Sequence, residues 1–120
     1  MDIDKAVEAL GRDMGIAGLA LDKSGCLTFN VGDDRSLFLE RRDDSLAVSL
    51  AAACRSDLSG SLAKGFALCH HSRDPGYNLR IGLFKKDIIV CISRLEPHQI
   101  RAGMLKGAVV YLMETIEDIL

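Results

Sequence analysis

Residues 36–50, SLFLERRDDSLAVSL, hold two runs with alternating apolar residues, set on either side of an acidic break. Leu37 and Leu39 share one side of the first run, and Leu46, Val48 and Leu50 share one side of the second. A pleated strand sends successive side chains to opposite faces, so the pattern demands a sheet that buries one face. The other side is mixed rather than polar: Ser36, Phe38 and Glu40, then Ala47 and Ser49. Phe38 points away from the leucines, which a simple two-layer sheet does not explain. The second face therefore needs a cover, from this chain, from a twin copy or from another protein.

The rest of the chain supplies helices and more strands. Ile3, Val7, Leu10 and Met14 recur at helical steps, with Asp2 or Asp4 to cap the start and Gly15 and Gly18 to bracket the end. AGLALD (17–22) and CLTFNV (26–31) flank the hairpin-like turn Lys23-Ser24-Gly25, and Leu27, Phe29 and Val31 alternate. Gly32-Asp33-Asp34 and Arg42-Asp43-Asp44-Ser45 turn the chain again, which predicts four short antiparallel strands in series. In SDLSGSLAKGFALCHHS (56–72), Leu58, Leu62, Phe66 and Cys69 then form a helical stripe, with Ser56 or Asp57 as N-cap. Ser59, Gly60, Ser61 and Gly65 make that helix intrinsically poor, so packing must hold it, and Asp74-Pro75-Gly76 stops it.

A second hairpin follows. Leu79, Ile81 and Leu83 alternate, Lys85-Lys86-Asp87 turns, and IIVCI (88–92) is apolar on both faces, as a doubly covered strand is. Glu96-Pro97 opens a long helix running to Leu120. The predicted order is α-β-β-β-β-α-β-β-α, an α+β fold with an antiparallel sheet and three helices, in one domain over residues 1–120.

Composition and motifs narrow the function. A chain of 120 residues can bury one core without metal or disulfide staples. A formal net charge of −2 without a concentrated basic patch argues against nucleic acid, and no apolar stretch reaches membrane-spanning length. The start, MDIDKAVEALGRDMG, carries acids and no signal-peptide core, so the cytoplasm is the expected compartment. Cys26, Cys54, Cys69 and Cys91 lie far apart and are expected to be reduced. Cys69-His70-His71 lacks a second Cys/His pair at zinc spacing, which leaves His70 and His71 as helix-end histidines, with His98 solvated. The acidic pairs Asp33-Asp34 and Asp43-Asp44 sit at turns, and no P-loop, HExxH, GxSxG or GxGxxG is present. No enzyme, metal or cofactor is expected.

The succession LDKSGCLTFNVGDDRSLFLERRDDSLAVSLAAACRSD, middle helix, NLRIGLFKKDIIVCISRL and amphipathic C-terminal helix resembles the class I chaperones of bacterial type III secretion, the family of the Tir chaperone. The resemblance spans the whole chain. It implies a cytoplasmic homodimer without enzymatic activity that binds the extended N-terminal segment of a secreted effector, with the secretion ATPase as a further partner. It implies effector binding at Val7, Leu10, Met14, Leu27, Phe29, Leu37 and Leu39, as groove or underlying core, and a dimer seam at Leu58, Leu62, Phe66 and Cys69. GIAGLALDKSGCLTF would also pass for a roadblock- or longin-type regulatory module, whose partner is a folded GTPase or a motor component.

Overall fold

Both alternating runs become strands. A computed structural model of the chain describes residues 2–32, 34–69, 77–101 and 103–120. Its elements are α1 (Ile3–Met14), β1 (Cys26–Asn30), β2 (Arg35–Arg42), β3 (Ser45–Ala53), α2 (Leu58–Cys69), β4 (Arg80–Phe84), β5 (Ile88–Leu95), a 3-10 turn at Pro97–Gln99, and α3 (Met104–Ile119). The five strands form one antiparallel sheet in the order β1-β2-β3-β5-β4. This is the expected α+β class, with three helices and an antiparallel sheet.

Cross-strand register stacks the in-phase apolar residues into rows: Leu37 opposite Leu50 and Leu50 opposite Cys91, Leu39 opposite Val48, and Leu46 opposite Leu95. All of these, with Ile89, are at most 1 % exposed. They share a single core with Val7 and Leu10 of α1 and with Leu105, Leu112 and Ile116 of α3. Polar groups caught in the core are satisfied locally. The Ser93 hydroxyl donates to the Tyr77 carbonyl, and the Thr115 hydroxyl donates to the Tyr111 carbonyl at 2.8 Å. Among the described residues no buried side-chain nitrogen or oxygen lacks a partner.

Two sequence expectations are corrected. Residues 17–22 form no strand, so three strands, not four, precede the middle helix. The turn itself exists: Asp22 N–H donates to the Cys26 carbonyl at 2.8 Å, and the Asp22 carboxylate accepts from the Ser24 hydroxyl and from the Ser24 and Cys26 amides. The Ser24 hydroxyl first, and then the Cys26 amide, hold that carboxyl below the usual carboxylate range. The residues before the turn run along α1 instead. Leu19 seats so closely on Gly11 that a Cβ there would lie 2.7 Å from the Leu19 Cβ. The alternation of AGLALD thus reflects packing across a helix rather than a ladder.

The long C-terminal helix is also broken. Glu96 and Gln99 close a capping box around the 3-10 turn, and Gly103 takes a φ of 88° immediately before α3. That backbone value is incompatible with a continuing right-handed helix, and it suits glycine. The other helix starts follow the expected chemistry. Asp2 Oδ1 accepts from the Lys5 amide at 2.8 Å, and Asp57 Oδ1 accepts from the Gly60 amide at 3.0 Å.

Candidate functional site

The out-of-phase residues of the strands make up the face turned away from the core. The register sets Phe38 opposite Ser49, Ser49 opposite Ile92, and Ile92 opposite Arg80. The next row joins Ser36, Ala51, Val90 and Gly82, and the row beyond it Ala53, Ile88 and Phe84. Ala47, Ser49, Ala51, Ala53, Ile88, Val90 and Ile92 are all half-buried, while Phe38 is 39 % and Phe84 56 % exposed. The patch is therefore apolar across β3, β5 and β4, and charged only towards one end, at Glu40, Arg42, Arg80 and Arg94. Alanine and serine are poor strand formers. Placed at four successive outward positions of β3, they leave a shallow floor on which another backbone can approach the sheet closely.

Among the described residues the sheet ends at β1 and β4, each paired on one side only. An edge strand turns half of its backbone amides and carbonyls away from its neighbour, ready to pair with one more strand. Beside β1, Leu27 and Phe29 are half-buried at the margin of the core. On β4, Leu83 is 49 % exposed on the side that carries α2 and Phe84 56 % exposed on the outer face, while Phe66 of α2 is 48 % exposed.

The way α2 packs explains this exposure. It buries Ser61 and Gly65, its small residues, instead of its apolar stripe. A Cβ on Gly65 would lie 3.1 Å from the Ile81 Cγ2 methyl and 3.5 Å from Ile119 Cδ1, so the helix sits tightly against β4 and α3. Leu58, Leu62 and Cys69 are left on the shoulder, half-buried, and Phe66 projects outward. The glycine and serine that weaken this helix in isolation are thus its packing face.

No protein-family model matches the sequence, and no sequence relative is found among curated proteins. Solved structures do match. The Yersinia pestis type III secretion chaperone SycH, in complex with a stable fragment of YscM2, superposes with a TM-score of 0.78 at 13% identity, covering 98% of both chains. The HopA1–SchA chaperone–effector complex gives 0.74 at 15% identity, covering 95% of this chain and 89% of that one. The ExoU–SpcU complex of the Pseudomonas aeruginosa type III secretion system gives 0.67 at 14% identity, over 98% and 93%. This is the type III secretion chaperone fold.

Within the secretion-chaperone fold, the residues singled out from sequence separate by depth. Val7, Leu10, Leu37 and Leu39 are at most 2 % exposed and form core beneath the surface, so a partner can touch them only by opening it. A charge at Leu10 therefore reports on folding rather than on binding. Met14, Leu27 and Phe29 are partly buried and pack on the rim of the core. The outward residues Ala47, Ala51, Ala53, Ile88, Val90 and Ile92 were missed as site candidates. The signal for them was present in IIVCI, apolar on both faces, and in the small residues opposite it.

Chemistry is sparse on these surfaces. Burial, with Cys69 nearby, pushes the Cys91 thiol up to about 12, so it is no thiolate at neutral pH. Cys54 is buried, its thiol 3.5 Å from the Ser61 hydroxyl. His98 is exposed on the 3-10 turn, and His70 and His71 lie outside the described residues. Among the described residues no cluster of three or more His, Cys, Asp or Glu side chains could hold a metal ion. Among them, too, no helix is long and apolar enough to cross a membrane.

Proposed function

We propose that residues 1–120 form one cytoplasmic chaperone domain of bacterial type III secretion, which binds the extended N-terminal segment of an effector and keeps it competent for export. The observation that carries this reading is the apolar outer face of the sheet, which none of the described helices covers, on a fold shared with proteins solved as chaperone–effector complexes. A soluble protein rarely leaves such a face bare, and a segment without structure of its own can cover a long shallow surface that a folded partner would meet only in part. The segment lies across β3, β5 and β4 and adds a strand at the β1 edge, with alternate side chains directed towards Leu27, Phe29 and Met14. Val7, Leu10, Leu37 and Leu39 support that surface from beneath.

The protein acts as a homodimer through α2 and the β4 edge, where Leu58, Leu62, Phe66 and Cys69 meet their equivalents across a two-fold axis. Binding needs no cofactor and no catalytic group. Docking to the secretion ATPase is part of the same reading. The structural matches support a chaperone over the roadblock- or longin-like module.

The test is capture from the bacterium that encodes the chain, followed by limited proteolysis and mass spectrometry of what stays bound. The expected product is a protected fragment from near the N-terminus of an exported protein. Recovery of an intact folded GTPase, with no protected fragment, would overturn the proposal.

A further inference from the structure

The side of α3 turned away from the sheet is not wholly polar. Val110 is 42 % exposed, and Met113 is half-buried and packs on the core. Two adjoining hollows of about 310 and 470 Å³ lie here, sharing Arg35 and Met113. The first is lined also by Val110, Glu114, Glu117 and Asp118, and the second by Val31, Gly32 and Asp34 at the β1–β2 turn.

The rim is acidic. Among the described residues four carboxylates face one guanidinium, and Arg35 is already engaged with Glu117 at 2.6 Å. Asp34 reaches Arg55 at 3.7 Å, a loose pair between exposed side chains. Among the described residues Glu114 and Asp118 have no cation within ion-pair distance. Glu117 and Asp118 also occupy the last turn of α3, which carries no basic residue. A helix C-terminus bears partial negative charge, so carboxylates are disfavoured there unless something positive offsets them.

We propose that this groove is a docking site for a basic amphipathic helix of a partner protein. Its apolar side seats on Val110, Met113 and Val31, and its lysines or arginines meet Glu114, Asp118 and Asp34. The groove runs beside α3 and the β1–β2 turn, whereas the apolar patch of the outer face lies on β3, β5 and β4. A segment on that outer-face patch therefore leaves the groove open to a second protein on α3. The inference is independent of what the sheet binds.

The probe is a synthetic amphipathic helix of leucine and lysine, with leucines on one face, titrated at low salt into the full chain labelled with ¹⁵N. Expected shifts centre on Val31, Gly32, Asp34, Arg35 and the residues from Val110 to Asp118. The double variant Glu114→Lys, Asp118→Lys keeps the Arg35–Glu117 pair and should weaken binding about tenfold or more. Val110→Asp, on an exposed side chain, should do the same with its melting temperature almost unmoved, and a matched leucine–glutamate helix should not bind. The proposal is overturned if the basic helix produces no shifts or shifts centred on the sheet, or if both variants bind as tightly as wild type. It is equally overturned if the acidic helix binds as well, or if the shifts follow chain concentration alone, which would place a second copy in the groove.

Discussion

Leu10→Asp should unfold the chain, while Phe38→Asp should leave it folded and unable to hold its cargo. Leu10 is 2 % exposed within the common core, so the change removes a buried leucine and leaves a carboxylate among apolar groups. The lost leucine alone costs about 2–5 kcal/mol, and burying an unpaired polar group adds to it. A domain of this kind has about 5–15 kcal/mol in all. Phe38 lies 39 % exposed on the outer face, opposite Ser49, and a polar group there keeps its contact with water. Its expected cost is about 1 kcal/mol, the range of strand preferences. Urea titrations followed by circular dichroism should find no folded baseline for Leu10→Asp and a modestly lowered midpoint for Phe38→Asp. A stably folded Leu10→Asp that merely lost its cargo would return Leu10 to the binding surface.

Phe66→Asp should turn a dimer into a monomer. Phe66 is 48 % exposed on the outward side of a helix that buries only Ser61 and Gly65, and Leu83, 49 % exposed, shares the side of β4 on which that helix packs through Ile81. A two-fold contact presents the same surface from both subunits, so one substitution introduces two charges into the seam. Loss of a central apolar anchor costs about 2 kcal/mol or more, which is at least about thirtyfold in the dimer dissociation constant. Sedimentation of wild type and variant measures it directly. The seam is excluded if the wild type is a monomer at tens of micromolar, or if the variant dimerises as the wild type does.

The run at 36–50 was legible because two independent constraints coincide in it. Alternation marks the leucines as one face, and the acidic break becomes the β2–β3 turn with Asp43 at a φ of 58°. The failure at 17–22 has the same physical root. Alternation says that every second residue is buried without saying against what, and Leu19 is buried on Gly11 of α1. Gly103 shows a related limit. A helical apolar pattern continues in projection across Ile100 and Met104 although the backbone between them turns with a positive φ.

The candidate site was half legible. Phe38 and the doubly apolar IIVCI signalled that the outer face needs a cover, but alanine and serine carry too little area to declare a surface by themselves. Only the register, which sets Ala51 beside Val90 and Ser49 beside Ile92, assembles them into one. The α2 stripe was legible as a row, and its burial within one chain was not. Close approach to Ile81 requires glycine, so Gly65 and Ser61 take the innermost positions, Leu58, Leu62 and Cys69 stay half-buried at the core margin, and Phe66 turns outward.

The claim that a partner segment covers the second face of the sheet is tested most directly by methyl NMR. Alanine, valine, leucine and isoleucine methyl groups of the folded chain would be followed as the protease-protected effector segment is added. The account predicts that Ala51, Val90, Ile88 and Ile92 shift or broaden in proportion to bound segment, while Val7, Leu10 and Leu50 keep their positions. Unmoved outer-face methyls in a saturated complex, with the changes confined to α1 and the core, would contradict it.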